Sequence, residues 1–168
     1  ITHRALLLAA VAEGTSLVRN PLATGDCLST KTCLTQLGAV IEEEPSPDGS
    51  AWRIKGRGLR GLEEPAGVLD AENSGTTIRL LAGLLAGLPL YAVLTGDASL
   101  RSRPMLRIVE PLRSMGARVE GRSDGKLPPL TLLPGSGCLR PLRYDLPVAS
   151  AQVKSALLLA ALRAEGEC

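Results

Sequence analysis

Ile78-Arg79-Leu80-Leu81-Ala82, then Thr95-Gly96-Asp97, then Met115-Gly116-Ala117-Arg118-Val119-Glu120 is the run of sequence on which the fold turns, because the chain contains it twice. The earlier copy reads His3-Arg4-Ala5-Leu6-Leu7-Leu8-Ala9, then Thr24-Gly25-Asp26, then Leu37-Gly38-Ala39-Val40-Ile41-Glu42. Order is the same in both and spacing differs by a few residues, which is the mark of an internal repeat. A third copy opens at Ser155-Ala156-Leu157-Leu158-Leu159-Ala160-Ala161-Leu162, echoing Arg4 to Val11. The expected units are residues 1–67, 68–143 and 144–168, the third truncated.

Each full copy reads helix, strand, helix, strand, strand. Ile78, Leu81, Ala82 and Leu85 recur at the spacing of one helical face. Gly87-Leu88-Pro89 ends that helix, and the short apolar run Leu90 to Leu94 predicts a buried strand. Met105, Ile108, Val109 and Leu112 predict a second helix, with Pro104 in its first turn and Gly116 at its stop. Strands follow at Arg118 to Glu120 and Leu130 to Leu132, around the turn residues Ser123-Asp124-Gly125. Pro45-Ser46-Pro47-Asp48-Gly49 reads as a loop between strands. Units of this kind cannot bury their apolar faces alone. The expectation is therefore an α/β fold in which the copies pack together, helices inside and sheets outside.

Composition excludes several function classes. The 168 residues are 45% hydrophobic, enough for a globular core. A formal net charge of +2 and aromatics at 2% argue against a nucleic-acid partner, which would need a basic surface or stacking platforms. No uninterrupted apolar run is long enough to span a membrane. Cys27, Cys33, Cys138 and Cys168 form no CxxC pair and lie far from the single His3, so no structural zinc is expected and the thiols are read as reduced and cytoplasmic. The first residues carry no signal peptide, and both ends read as cut rather than natural.

The chemistry concentrates at helix starts. After the short strand Val68-Leu69-Asp70-Ala71, Asn73 or Ser74 caps a helix and Gly75 lets backbone approach a ligand. The free N–H groups of that first turn and the helix dipole favour an anion. Thr76 and Thr77 offer hydroxyls, and Arg79 offers a fork for carboxylate or phosphate. Arg101-Ser102-Arg103-Pro104 with Arg107 is a second basic cluster before a helix. Ser150-Ala151-Gln152-Val153-Lys154-Ser155 is a third polar helix start, and Arg4 occupies the matching place in the first copy. The repeat brings these starts towards one rim, which predicts a shared site for a small anion.

Asn73-Ser74-Gly75-Thr76-Thr77-Ile78-Arg79, Leu94-Thr95-Gly96-Asp97 with Arg101 to Met105, and Pro147 to Ser155 closely resemble the 5-enolpyruvylshikimate-3-phosphate synthase family. The likeness runs in order over essentially the whole chain and covers most of that family's first lobe. It implies an inside-out, barrel-like α/β lobe of βαβαββ-type units in pseudo-three-fold arrangement. It also implies transfer of the enolpyruvyl group of phosphoenolpyruvate to the 5-hydroxyl of shikimate 3-phosphate, with release of phosphate and without a metal or organic cofactor. By the same resemblance Arg4, Ser150 and Gln152 belong to the shikimate 3-phosphate side. Asn73, Gly75, Thr76 and Arg103, again with Gln152, belong to the phosphoenolpyruvate side, with Arg79 and Lys154 supporting.

The resemblance has gaps. The family's Lys-Ser pair would precede Ile1, and its proton-shuttling acids come from the second lobe. Asp70, Asp97 and Asp145 are not their equivalents. The chain is therefore expected to be inactive alone and to need that lobe as its partner. The related UDP-N-acetylglucosamine enolpyruvyl transferases carry a reactive Cys in the loop matching Thr95 to Arg103; here Asp97-Ala98-Ser99-Leu100-Arg101-Ser102 has none. A non-catalytic binding fragment is the alternative from another class.

Overall fold

A computed structural model describes every residue except Asp48. It is an α/β structure. The chain begins α1 (Thr2–Val11), β1 (Thr15–Arg19), α2 (Gly25–Gln36), β2 (Val40–Ser46) and β3 (Gly49–Lys55). It continues β4 (Leu69–Asp70), α3 (Gly75–Leu85), β5 (Ala92–Thr95), α4 (Leu106–Ser114), β6 (Arg118–Gly121) and β7 (Leu127–Leu133), and closes with α5 (Ala151–Ala161). A short 3-10 turn, Leu100–Ser102, stands between β5 and α4.

Two sheets result. The first has the order β1-β3-β2 and is antiparallel throughout. The second has the order β4-β5-β7-β6; β4 runs parallel to β5, and the remaining pairs are antiparallel. In both, the later strand of a hairpin sits between the hairpin's first strand and a strand that precedes a helix. The apolar core lies under these sheets and centres on α3, in which Ile78, Leu80, Leu81, Ala82, Leu84 and Leu85 are all buried. α5 packs on α3 so closely that a Cβ on Gly83 would lie 2.1 Å from the carbonyl oxygen of Ala156. That approach leaves room for glycine alone. Among the described residues no helix is long and apolar enough to cross a membrane.

Some boundaries differ from expectation. Pro45 and Ser46 belong to β2, pairing with Ser50 and Gly49, so the loop between strands shrinks to its tip; Asp48 lies outside the described residues. β2 is an edge strand, where a proline's missing N–H leaves no ladder bond unmade. Pro104 lies outside α4, because Met105 N–H is held by the Lys126 carbonyl at 2.9 Å and the helix starts only after it. The expected turn at Ser123-Asp124-Gly125 is present, with positive φ at all three residues. At the far end of α3, Arg163 is 7% exposed and donates to the carbonyls of Leu84 and Leu59, a cation placed on the negative end of the helix dipole. Its Nε finds no partner, and burial pushes the guanidinium down to about 10.

Candidate functional site

The first turn of α3 is built by its cap. Ser74 is extended at φ −80 and ψ 97, and its Oγ accepts Thr77 N–H at 3.1 Å. That satisfies one of the helix's free donors and leaves the others of the first turn open. Gly75 follows, and a Cβ there would lie 2.6 Å from Arg79 Nη1 and 3.1 Å from Arg103 Nη1. The missing methyl group is thus what lets two guanidinium groups close over the helix start.

Arg79 is fixed by three oxygens. Its Nη1 donates to Gly75 O and Gln152 Oε1, both at 3.0 Å, and its Nη2 to Pro104 O at 3.0 Å. Gln152 Nε2 donates in turn to Thr76 Oγ1 at 2.9 Å. Burial first, then the like charges of Arg103 and Arg107, hold the Arg79 guanidinium below its ordinary value. Arg103 Nη2 donates to Asn73 Oδ1 at 2.5 Å, and Asn73 Nδ2 to Asp97 Oδ2 at 2.7 Å.

The start of α5 joins the other two helix starts. Ser150 caps it, its Oγ accepting Val153 N–H at 3.3 Å. Arg4, from the first turn of α1, donates through Nε to Ser155 Oγ at 2.7 Å and through Nη2 to Ala151 O at 3.1 Å. Arg4 therefore ties α1 to α5, while Gln152 ties α5 to α3. Beneath them runs a polar chain: His3 Nδ1 and Thr30 Oγ1 lie 2.7 Å apart, as do Thr30 Oγ1 and Thr77 Oγ1, and Thr77 donates to Ser74 Oγ at 2.8 Å.

Asn73, Gly75, Thr76, Arg79, Arg103 and Gln152 are thus brought together, and Arg4 and Ser150 sit at the adjoining helix ends. Four expected contributors do not join them. Thr77 is fully buried and spends its hydroxyl on Ser74 and the Asp26 carbonyl, because it lies about 100° around the helix from Thr76. Lys154 lies about 200° around α5 from Gln152 and lines a groove with Leu146, Leu157 and Ala161 on another face. Arg101 turns back onto Gly96 O at 2.8 Å, and Arg107 reaches the Val148 carbonyl at 2.8 Å. Asp97 and Ser155, the partners of Asn73 and Arg4, carry no local signal in the sequence, because both contacts join residues distant in the chain.

Electrostatically the cluster is unbalanced. None of the ion pairs among the described residues involves Arg4, Arg79 or Arg103, whose hydrogen-bond partners are neutral oxygens. Cations held on carbonyl, amide and hydroxyl oxygens, beside open helix N–H groups, make a receptor for a phosphate or carboxylate. Among the described residues no cluster of His, Cys, Asp and Glu has the arrangement of a metal site.

Known proteins give this site a context. The family model described as EPSP synthase (3-phosphoshikimate 1-carboxyvinyltransferase) matches residues 1–168. A 3-phosphoshikimate 1-carboxyvinyltransferase from Pelotomaculum thermopropionicum is 52% identical over 166 residues, which is 99% of this chain and 37% of that protein. One from Chloroflexus aurantiacus is 55% identical over 165 residues, 98% of this chain and 37% of its own length. The solved EPSP synthase of Acinetobacter baumannii superposes with a TM-score of 0.90 at 45% identity, covering 98% of this chain and 36% of that one. The chain thus spans about 37% of the length of the curated relatives it matches.

Proposed function

The chain belongs to the EPSP synthase family, and on that premise we propose that it supplies one wall of the site where phosphoenolpyruvate gives its enolpyruvyl group to the 5-hydroxyl of shikimate 3-phosphate, with release of phosphate. The observation that carries this reading is the convergence of Arg79 and Arg103, paired with neutral oxygens, on the open start of α3. Two anionic substrates meeting in one cleft need such fixed positive charge.

In this reading Asn73, Gly75, Thr76 and Arg103 hold phosphoenolpyruvate, with Arg79 beside them. Arg4 and Ser150 hold shikimate 3-phosphate. Gln152, which already bridges Arg79 and Thr76, stands where the two substrates adjoin. Preorganised donors stabilise the charge that gathers as the tetrahedral intermediate forms, and they need no rearrangement to do so. Proton transfer falls to acids outside these residues, in a second lobe, and the chemistry calls on no metal or organic cofactor. The element order, repeated from α1 to β3 and from α3 to β7, supports a lobe of pseudo-three-fold units bounded near residues 67 and 143, with α5 opening the third.

The test is phosphate release from phosphoenolpyruvate with the full-length enzyme, with and without shikimate 3-phosphate. Release that depends on both substrates, and its absence with residues 1–168 alone, is the expected result. Turnover by this chain alone overturns the assignment of proton transfer to a second lobe.

A further inference from the structure

Asn73 is a side chain whose usefulness depends on which way its amide faces. In the structure its oxygen meets Arg103 Nη2 at 2.5 Å and its nitrogen meets Asp97 Oδ2 at 2.7 Å. A flipped amide would set N–H against guanidinium N–H, and oxygen against carboxylate oxygen, so the pair of neighbours permits one orientation. Asp97 also acts on the arginine's own loop. Its Oδ1 accepts Leu100 N–H at 2.7 Å, and its carbonyl accepts Arg101 N–H at 2.9 Å, which together hold the 3-10 turn leading into Arg103. Its N–H donates to Glu72 O at 2.8 Å, and Glu72 sits at φ 52, in the left-handed region that non-glycine residues seldom occupy. A Cβ on Gly96 would lie 2.3 Å from that same carbonyl. The loop carrying Asn73 and the loop carrying Arg103 are therefore pressed together and stitched at Asp97.

We propose that Asp97 is a positioning residue: it locks the Asn73 amide and, through it, holds Arg103 in the direction that receives the anion. This rests on reading the site as the phosphoenolpyruvate wall. Asp97 itself has no place on the substrate. The Asn73 bond, then the Leu100 N–H, hold its carboxyl below the ordinary carboxylate range, so it keeps its charge throughout the neutral range.

Two measurements decide it. In the full-length enzyme, Asp97→Ala is expected to raise KM for phosphoenolpyruvate about tenfold, the scale of a small misplacement of a binding group, with KM for shikimate 3-phosphate little changed. In an Asn73→Ala background the same change should add clearly less than it does alone, because the share of its effect that runs through Asn73 is already lost and only the Leu100 N–H contact remains to be removed. In nitrogen-resolved NMR of residues 1–168, the two Asn73 side-chain amide hydrogens should be far apart in shift and should converge in Asp97→Ala, while the Gln152 amide stays in place. Equal rises in both KM values, full additivity with Asn73→Ala, or an unmoved Asn73 amide would overturn the inference. If the unaltered full-length enzyme turns over neither substrate, the functional reading fails instead, and the Asn73 resonance still decides the role of Asp97.

Discussion

At the residue scale the site is a contest for space and donors around Gly75. A methyl group there would meet the tips of Arg79 and Arg103, at 2.6 and 3.1 Å. Gly75→Ala is expected to change stability little, because alanine's better helix propensity, at most about 1 kcal/mol, is offset by the hydrogen bonds that Arg79 gives up. It should nonetheless weaken phosphoenolpyruvate binding about tenfold or more by pushing both guanidinium groups aside. Thermal unfolding measured beside KM separates the two effects; a lowered melting temperature with unchanged KM contradicts the account. The cap and the arginine at the start of α3 were legible in the sequence because a capped helix start with glycine and arginine is a local pattern. The misreading of Thr77 shows the limit, since one step around the helix turns a hydroxyl from cleft to core. Asp97 was legible as part of the repeated Thr-Gly-Asp run but not as the partner of Asn73, which lies 24 residues away in the chain.

At the element scale the packing of α3 against α5 decides whether the helix starts stay together. Gly83→Ala puts a Cβ 2.1 Å from the Ala156 carbonyl. Backbone cannot yield cheaply there, and the change should destabilise the fold by about 1–3 kcal/mol despite alanine's better propensity. Gly25→Ala, in the first turn of α2, meets nothing within 4 Å and should be neutral or stabilising. Urea unfolding of the two variants gives the comparison, and equal behaviour would contradict it. α1 contributes a pH response. Burial first, against the opposing pull of Asp26, lowers His3 from its ordinary 6.5. The folded state therefore binds fewer protons near that pH than the unfolded state does. Stability is full above 6.5 and falls as pH drops through that value towards the lowered one. A midpoint series from pH 8 to pH 5 should show this decline, and His3→Asn should flatten it.

At the scale of the whole molecule, the repeat is what made the fold class readable. Two runs of the same helix and strand signals predict packed copies, and the structure is an α/β arrangement with α3 at its centre. Strand ends were less readable, because edge position, not residue type, decides whether a proline such as Pro45 can stay in a ladder. Lys154 was misplaced for a related reason: polarity at a helix start does not say which side of the helix faces the cleft. Three helix starts are tied together, by Arg4 to Ser155 and by Gln152 to Arg79 and Thr76, and the proposed function makes their rim a ready half-site for substrate anions. The most direct test is an NMR titration of residues 1–168 with shikimate 3-phosphate, following the backbone amides of Ser150 and Gln152 and the Gln152 side-chain amide. The account predicts saturable shifts confined to these positions and the start of α1, with a Kd of about 1 mM, as befits half a site. Unchanged spectra at tens of millimolar ligand would contradict it.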